Sequence, residues 1–152
     1  MNEQDIDKLE AGREMDILVA EHVMGQQDFS HPGFFWYEST TEDGTDGWDG
    51  FYCPRCSLSG SPDQDHSSPP KCVRHYSTNI ADAFLGVEKL RADYQFSIWT
   101  SLTVGREFRC RIRKKGTAWD DRFTFFGSFL PLVLCRAMLK AVMEKSNERA
   151  RY

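Results

Sequence analysis

The sequence has no run of apolar residues approaching the length of a membrane span, and its first residues, MNEQDIDKLEAG, are acidic and lack the apolar stretch of a secretion signal. These absences set the expectation of a soluble chain that stays in the cytoplasm where it is made, with no membrane partner. There is no surplus of positive charge either. The formal net charge is −4, so the surface as a whole does not attract polyanions, and nucleotide or nucleic-acid contact needs a local basic patch. A Gly-rich phosphate loop, a nucleophile motif and a metalloprotease helix motif are all missing. The expectation is therefore that the chain is not an enzyme. Five cysteines are an odd number, and without a secretion signal they read as free thiols or metal ligands rather than a disulfide framework.

What is present fits one domain. A chain of 152 residues, 40% hydrophobic and 13% aromatic, has enough apolar mass for a sizeable core. Met15, Leu18, Val19, His22 and Val23 recur at helical spacing and predict a first helix over Gln4 to Met24, with Gly25 ending it. His22 at the edge of that stripe reads as packing. A second helix starts in Ser77-Thr78-Asn79, presents Ile80, Ala83, Phe84, Val87 and Leu90 on one face, and ends near Ala92. Three strands follow, Tyr94 to Leu102, Glu107 to Lys114 and Trp119 to Phe126, with turns at Val104-Gly105 and Lys115-Gly116-Thr117. A last helix, from about Ser128 to Lys145, tolerates Pro131 only in its first turn and carries Leu132, Cys135, Met138, Leu139 and Val142. The tail Ser146 to Tyr152 is too polar to require a fixed place.

The expected fold is α+β: an antiparallel sheet of about three to five strands packed with three helices as a sandwich, in a single domain over 1–152. Between the first two helices, about residues 26–76, lies an irregular insertion poor in aliphatic residues. Phe34 to Tyr37 and Gly50 to Tyr52 can form a short hairpin across the Glu42-Asp43-Gly44 region, while SGSPDQDHSSPP has linker composition. A loop of this length inside a compact domain calls for a function or a staple.

Its staple is suggested by spacing. Cys53-Pro54-Arg55-Cys56 and Cys72-Val73-Arg74-His75 are two ligand pairs, each with two intervening residues, separated by Ser57 to Lys71. Such knuckles aim four soft or borderline ligands at one tetrahedral ion, so a structural zinc at Cys53, Cys56, Cys72 and His75 is expected. Phe51, Tyr52 and Tyr76 stand ready to wall the site. His31 or His66 is an alternative fourth ligand, and incidental thiols or a metal-free redox pair at Cys53 and Cys56 are the competing readings. Ser57 stands where many knuckles have glycine. Four protein ligands leave no open position for water, which makes such a site structural rather than hydrolytic. Cys110 and Cys135 fall in apolar phases and read as core.

A second constellation lies on the strand Glu107 to Lys114, where Arg109, Arg111 and Arg113 alternate with Phe108, Cys110 and Ile112. Alternation puts the three arginines on one face. With Trp99 on the strand before and Arg122 on the strand after, they form a candidate ligand- or partner-binding surface, since guanidinium forks bind phosphate and indole stacks on bases. The bland alternative is a solvated face with the arginines paired to Glu107, Asp120 or Asp121.

Four strings, MDILVAEHVMG at Met15–Gly25, YSTNIA at Tyr76–Ala81, VEKL at Val87–Leu90 and LVLCRA at Leu132–Ala137, resemble small phage and prophage proteins with a phage ABA sandwich domain. The likeness covers residues 14–25 and 76–143. The chain departs from that pattern with Asn79 where Asp is usual, Phe84 where Trp is common, and a longer insertion. The resemblance implies the fold and a viral or prophage origin, and the family has no established activity to transfer. The expected function is a non-catalytic phage accessory protein that binds and inhibits a host factor, such as a defence protein or its nucleotide signal. The alternative is a zinc-stabilised nucleic-acid-binding protein.

Overall fold

The computed structural model describes residues 3–30, 35–38, 49–53, 55–56, 59–60, 71–101, 107–120 and 123–149. Arg122, His31, His66, Phe34 and the turns at Glu42-Asp43-Gly44 and Val104-Gly105 lie outside them. The chain divides into two compact units, residues 1–27 with 75–152, and residues 28–74.

The larger unit is α+β. Where one helix was expected over Gln4 to Met24, there are two: α1 (Glu3–Lys8) and α2 (Arg13–Leu18), the latter running on as a π-helical turn, Val19–Val23. The break has a cause at Gly12, whose φ of 151° lies in a region that favours glycine. Ser77 holds that backbone from both sides: Gly12 N–H donates to Ser77 Oγ at 2.8 Å, and the hydroxyl donates back to Gly12 O at 3.2 Å. Ser77 N–H in turn donates to buried Asp16 at 2.6 Å. Gly25, at φ 69°, ends the segment as expected.

Asn79 caps α3 (Ile80–Leu90), its Oδ1 accepting from Ala81 N–H at 2.9 Å and Asp82 N–H at 3.4 Å. Of the expected face, Ala83 and Val87 are buried together with Gly86, while Ile80 and Phe84 are exposed and Leu90 is half-buried. A Cβ at Gly86 would stand 2.7 Å from Met138 Sδ, so the missing side chain lets α3 approach α4 (Leu130–Arg149) closely.

The sheet is antiparallel, and its strands here take the labels β4 (Tyr94–Ser101), β5 (Glu107–Lys114) and β6 (Thr124–Gly127), in the order β4-β5-β6. Its register runs from Tyr94 opposite Lys114 to Ser101 opposite Glu107, and from Phe108 opposite Gly127 to Arg111 opposite Thr124. The third strand starts five residues later than expected, because residues after Lys114 turn at Gly116 (φ 84°) and continue as a connection before pairing resumes. Tyr94, Cys110, Ile112 and Phe125 are buried on the inner face, where α4 packs on β5 and β6. The same helix packs against α1, α3 and the π-helical turn. That position explains why Val133, Leu134, Cys135, Ala137, Met138, Leu139 and Ala141 are all buried. Asp7 accepts an ion-paired bond from Lys140 at 2.6 Å, and Tyr94 O–H donates to Ala141 O at 3.0 Å. The helix extends to Arg149, past the expected end at Lys145. No helix among the described residues is long and apolar enough to cross a membrane.

The smaller unit contains a second antiparallel sheet of β1 (Phe35–Glu38), β2 (Asp49–Tyr52) and β3 (Ser59–Gly60). Phe35 lies opposite Tyr52 and Glu38 opposite Asp49, the hairpin read from the sequence, with Tyr52 and Ser59 extending it to a third strand.

Candidate functional site

Cys53 follows the last residue of β2 directly, and Cys56 sits in the turn after it. Cys72 is brought to them by its own backbone: its N–H donates to Phe29 O at 2.8 Å, and the neighbouring Lys71 lays its ammonium 4.6 Å from the centre of the Phe29 ring. The result is three buried thiols whose Sγ atoms all lie within 4.8 Å of one another. Cys53 Sγ and Cys72 Sγ are 3.7 Å apart, far beyond the roughly 2.05 Å of a disulfide. An ion about 2.3 Å from each sulfur at tetrahedral angles would set neighbouring sulfurs about 3.8 Å apart. The donor set and its spacing therefore fit a metal ion, and can staple an otherwise irregular region.

Burial and the two neighbouring thiols push Cys72 up to about 12. A reactive cysteine needs the opposite shift, so without an ion Cys72 does not suit a nucleophile. A bound dication would favour the thiolates and release their protons. Cys110, pushed up by burial to about 12, and Cys135, also raised by burial, are core groups.

His75 is not in the sulfur cluster. It is half-buried in the larger unit, where its backbone N–H donates to the Asp82 carboxylate at 3.2 Å, and Tyr76 is buried in that unit as well. The structure thus brings together three of the four expected ligands, with both alternative histidines outside the described residues.

The outer face of the β4-β5-β6 sheet assembles the arginine row. Pairing sets Trp99 beside Arg109, and Arg109 beside Phe126. The Arg109 guanidinium lies between those rings, 5.5 Å from the Trp99 centroid and 4.3 Å from that of Phe126. Trp119, in the connection after β5, receives Arg113 at 4.4 Å and Arg111 at 5.6 Å. Arg111 Nε also donates to Thr124 Oγ1 at 3.2 Å. Arg113 donates to Gln95 Oε1 at 3.0 and 2.7 Å and to Thr117 O at 3.0 Å. The rings remain accessible: Trp99 and Trp119 are 36% exposed and Phe126 49%. Phe126 and Trp119 were not among the residues singled out from sequence. A strand starting at Trp119 would have placed that indole in line with the sheet, when it actually folds over two arginines from a loop.

Comparisons with family models, curated proteins and solved structures return no match.

Proposed function

We propose that this chain is a non-catalytic binding protein in which a structural zinc ion at Cys53, Cys56 and Cys72 staples the smaller unit and the outer sheet face of the larger unit takes an anionic ligand. The observation that carries the reading is the row Arg109, Arg111 and Arg113 set among three accessible aromatic rings. Guanidinium groups fixed by stacking keep their fork geometry with little entropy left to lose, which favours phosphate recognition. Zinc is the natural ion for buried thiolates at tetrahedral spacing. The phage resemblance supplies the setting: an accessory protein in the host cytoplasm that sequesters a host factor or its nucleotide signal.

A second reading, zinc-stabilised binding of nucleic acid, draws on the same rings, because bases stack on exposed indole and phenyl groups. Salt separates the two. Titrating the full chain with a nucleoside triphosphate and with a single-stranded oligonucleotide at two salt concentrations should show nucleotide binding with shallow salt dependence; a steep slope confined to the oligonucleotide favours the second reading. Binding of neither probe would sink both.

A further inference from the structure

The sheet β4-β5-β6 has two edges. At one of them β6 is four residues long, and so short an edge strand offers little backbone to pair with. At the other, β4 is eight residues long and, among the described residues, pairs with β5 alone. Every second residue of β4 therefore turns its N–H and C=O away from β5. Folded proteins blunt such an edge with charge or proline, and the β4 sequence YQFSIWTS contains neither. Its tyrosine, phenylalanine, isoleucine, tryptophan and threonine all favour a strand.

The inner side of β4 is also incompletely covered. Register sets Phe96 beside Ile112 and Ile98 beside Cys110, on the face where α4 packs on β5 and β6. Ile112 and Cys110 are buried there, whereas Phe96 and Ile98 on the edge strand are half-buried and Thr100 is exposed. An added strand would take the outward backbone groups and shield these side chains together.

We infer that β4 pairs antiparallel with β4 of a second copy about a two-fold axis through Ser97, joining two three-stranded sheets into one of six strands. A strand without charge lies against itself with no like charges opposite each other. An axis centred on a residue, rather than between two, keeps outer side chains with outer and inner with inner, and it matches outward backbone groups to outward ones. Centred on Ser97, it sets Phe96 opposite Ile98 of the second copy, twice over, and Tyr94 opposite Thr100. The half-buried Phe96 and Ile98 then cover each other as aromatic and β-branched pairs. The arginines do not oppose this union. Their two rows stand three strand spacings apart, about 14 Å, which exceeds a Debye length of about 8 Å. On the outer face, Trp99 of the second copy arrives beside Gln95, the residue that holds Arg113, so two arginine faces become one. The pairing is independent of what that face binds.

Sedimentation equilibrium of the full chain over a dilution series tests it. A reversible monomer–dimer equilibrium is expected, and Ser97→Lys, which sets like charges opposite each other at the axis, should weaken it about fivefold or more. Ser97→Cys reads the register without adding charge. The two central side chains, with Cβ atoms about 5 Å apart, should form a disulfide-linked dimer in oxidised glutathione, because small movements bring them into bonding range. Thr100→Cys, exposed but displaced from the axis, should not, and the five native cysteines are buried. A chain that stays monomeric throughout the series would overturn the inference and leave the edge to a strand of another protein. A dimer indifferent to Ser97→Lys, or one that Ser97→Cys cross-links no faster than Thr100→Cys, would place the interface elsewhere and overturn it as well.

Discussion

Two glycines and one buried carboxyl show how single residues set this structure. A Cβ at Gly127 would lie 2.8 Å from Val133 Cγ2, on a stiff β-branched side chain, whereas at Gly86 it would meet the flexible end of Met138. Gly127→Ala should therefore destabilise by about 1–3 kcal/mol by overpacking. Gly86→Ala should stay within about 1 kcal/mol of the parent, because the helix-propensity gain offsets the displaced methionine. Chemical denaturation of both variants decides it, and equal effects would refute the contrast. Asp16 is 2% exposed. Burial raises its pKa above 3.8, opposed by the bonds from Ser77 and by His75, with Asp82 adding to the rise. A raised carboxyl binds more protons in the folded state, so its favourable contribution is complete below the ordinary value and is lost as pH rises through the folded one. Asp16→Asn keeps an acceptor for Ser77 N–H and removes that loss; it should raise the melting temperature at pH 7 more than at pH 4. An equal shift at both values would mean that ionisation is not involved. The sequence showed these features only in part: apolar periodicity found Ala83 and Val87 on the buried face of α3 but also counted exposed Ile80 and Phe84, and gave no weight to Gly86, whose contribution is an absent side chain.

At the scale of elements, β5 is the organising strand. Its alternation was plain in the sequence, and the inner phase is buried where the outer phase carries the arginines. Less legible was what stands beside it. Phe126 reaches Arg109 through a register that the sequence does not specify, and Trp119 arrives from a connection whose path follows the turn at Gly116. Arg111→Glu should weaken binding of inorganic triphosphate at least tenfold, since it removes a donor fork and sets a negative charge between two arginines. Its stability cost should stay near 1 kcal/mol, the scale of an exposed cation–π contact and one neutral hydrogen bond. Titration of folded variant protein checks it; unchanged affinity removes the row from the binding reaction, and gross unfolding shows that the row is structural.

For the whole molecule, the sequence spacing located the sulfur cluster because two-residue gaps have few other uses, and Cys53, Cys56 and Cys72 do converge. The same spacing proposed His75 as the fourth ligand; its backbone N–H donates to Asp82 within the larger unit. The larger unit has its own core around α4, so Cys56→Ser should speed amide exchange across residues 28–74 while protection in α4 and β5 persists. Uniform loss of protection would contradict that independence. The central claim, that the three buried thiols are zinc ligands, is tested most directly by native mass spectrometry with elemental analysis of the full chain purified without added metal. One zinc per chain, absent when Cys53 and Cys72 are both replaced by serine, is the result expected. A metal-free chain that remains folded, or zinc retained in full by the double variant, would contradict it.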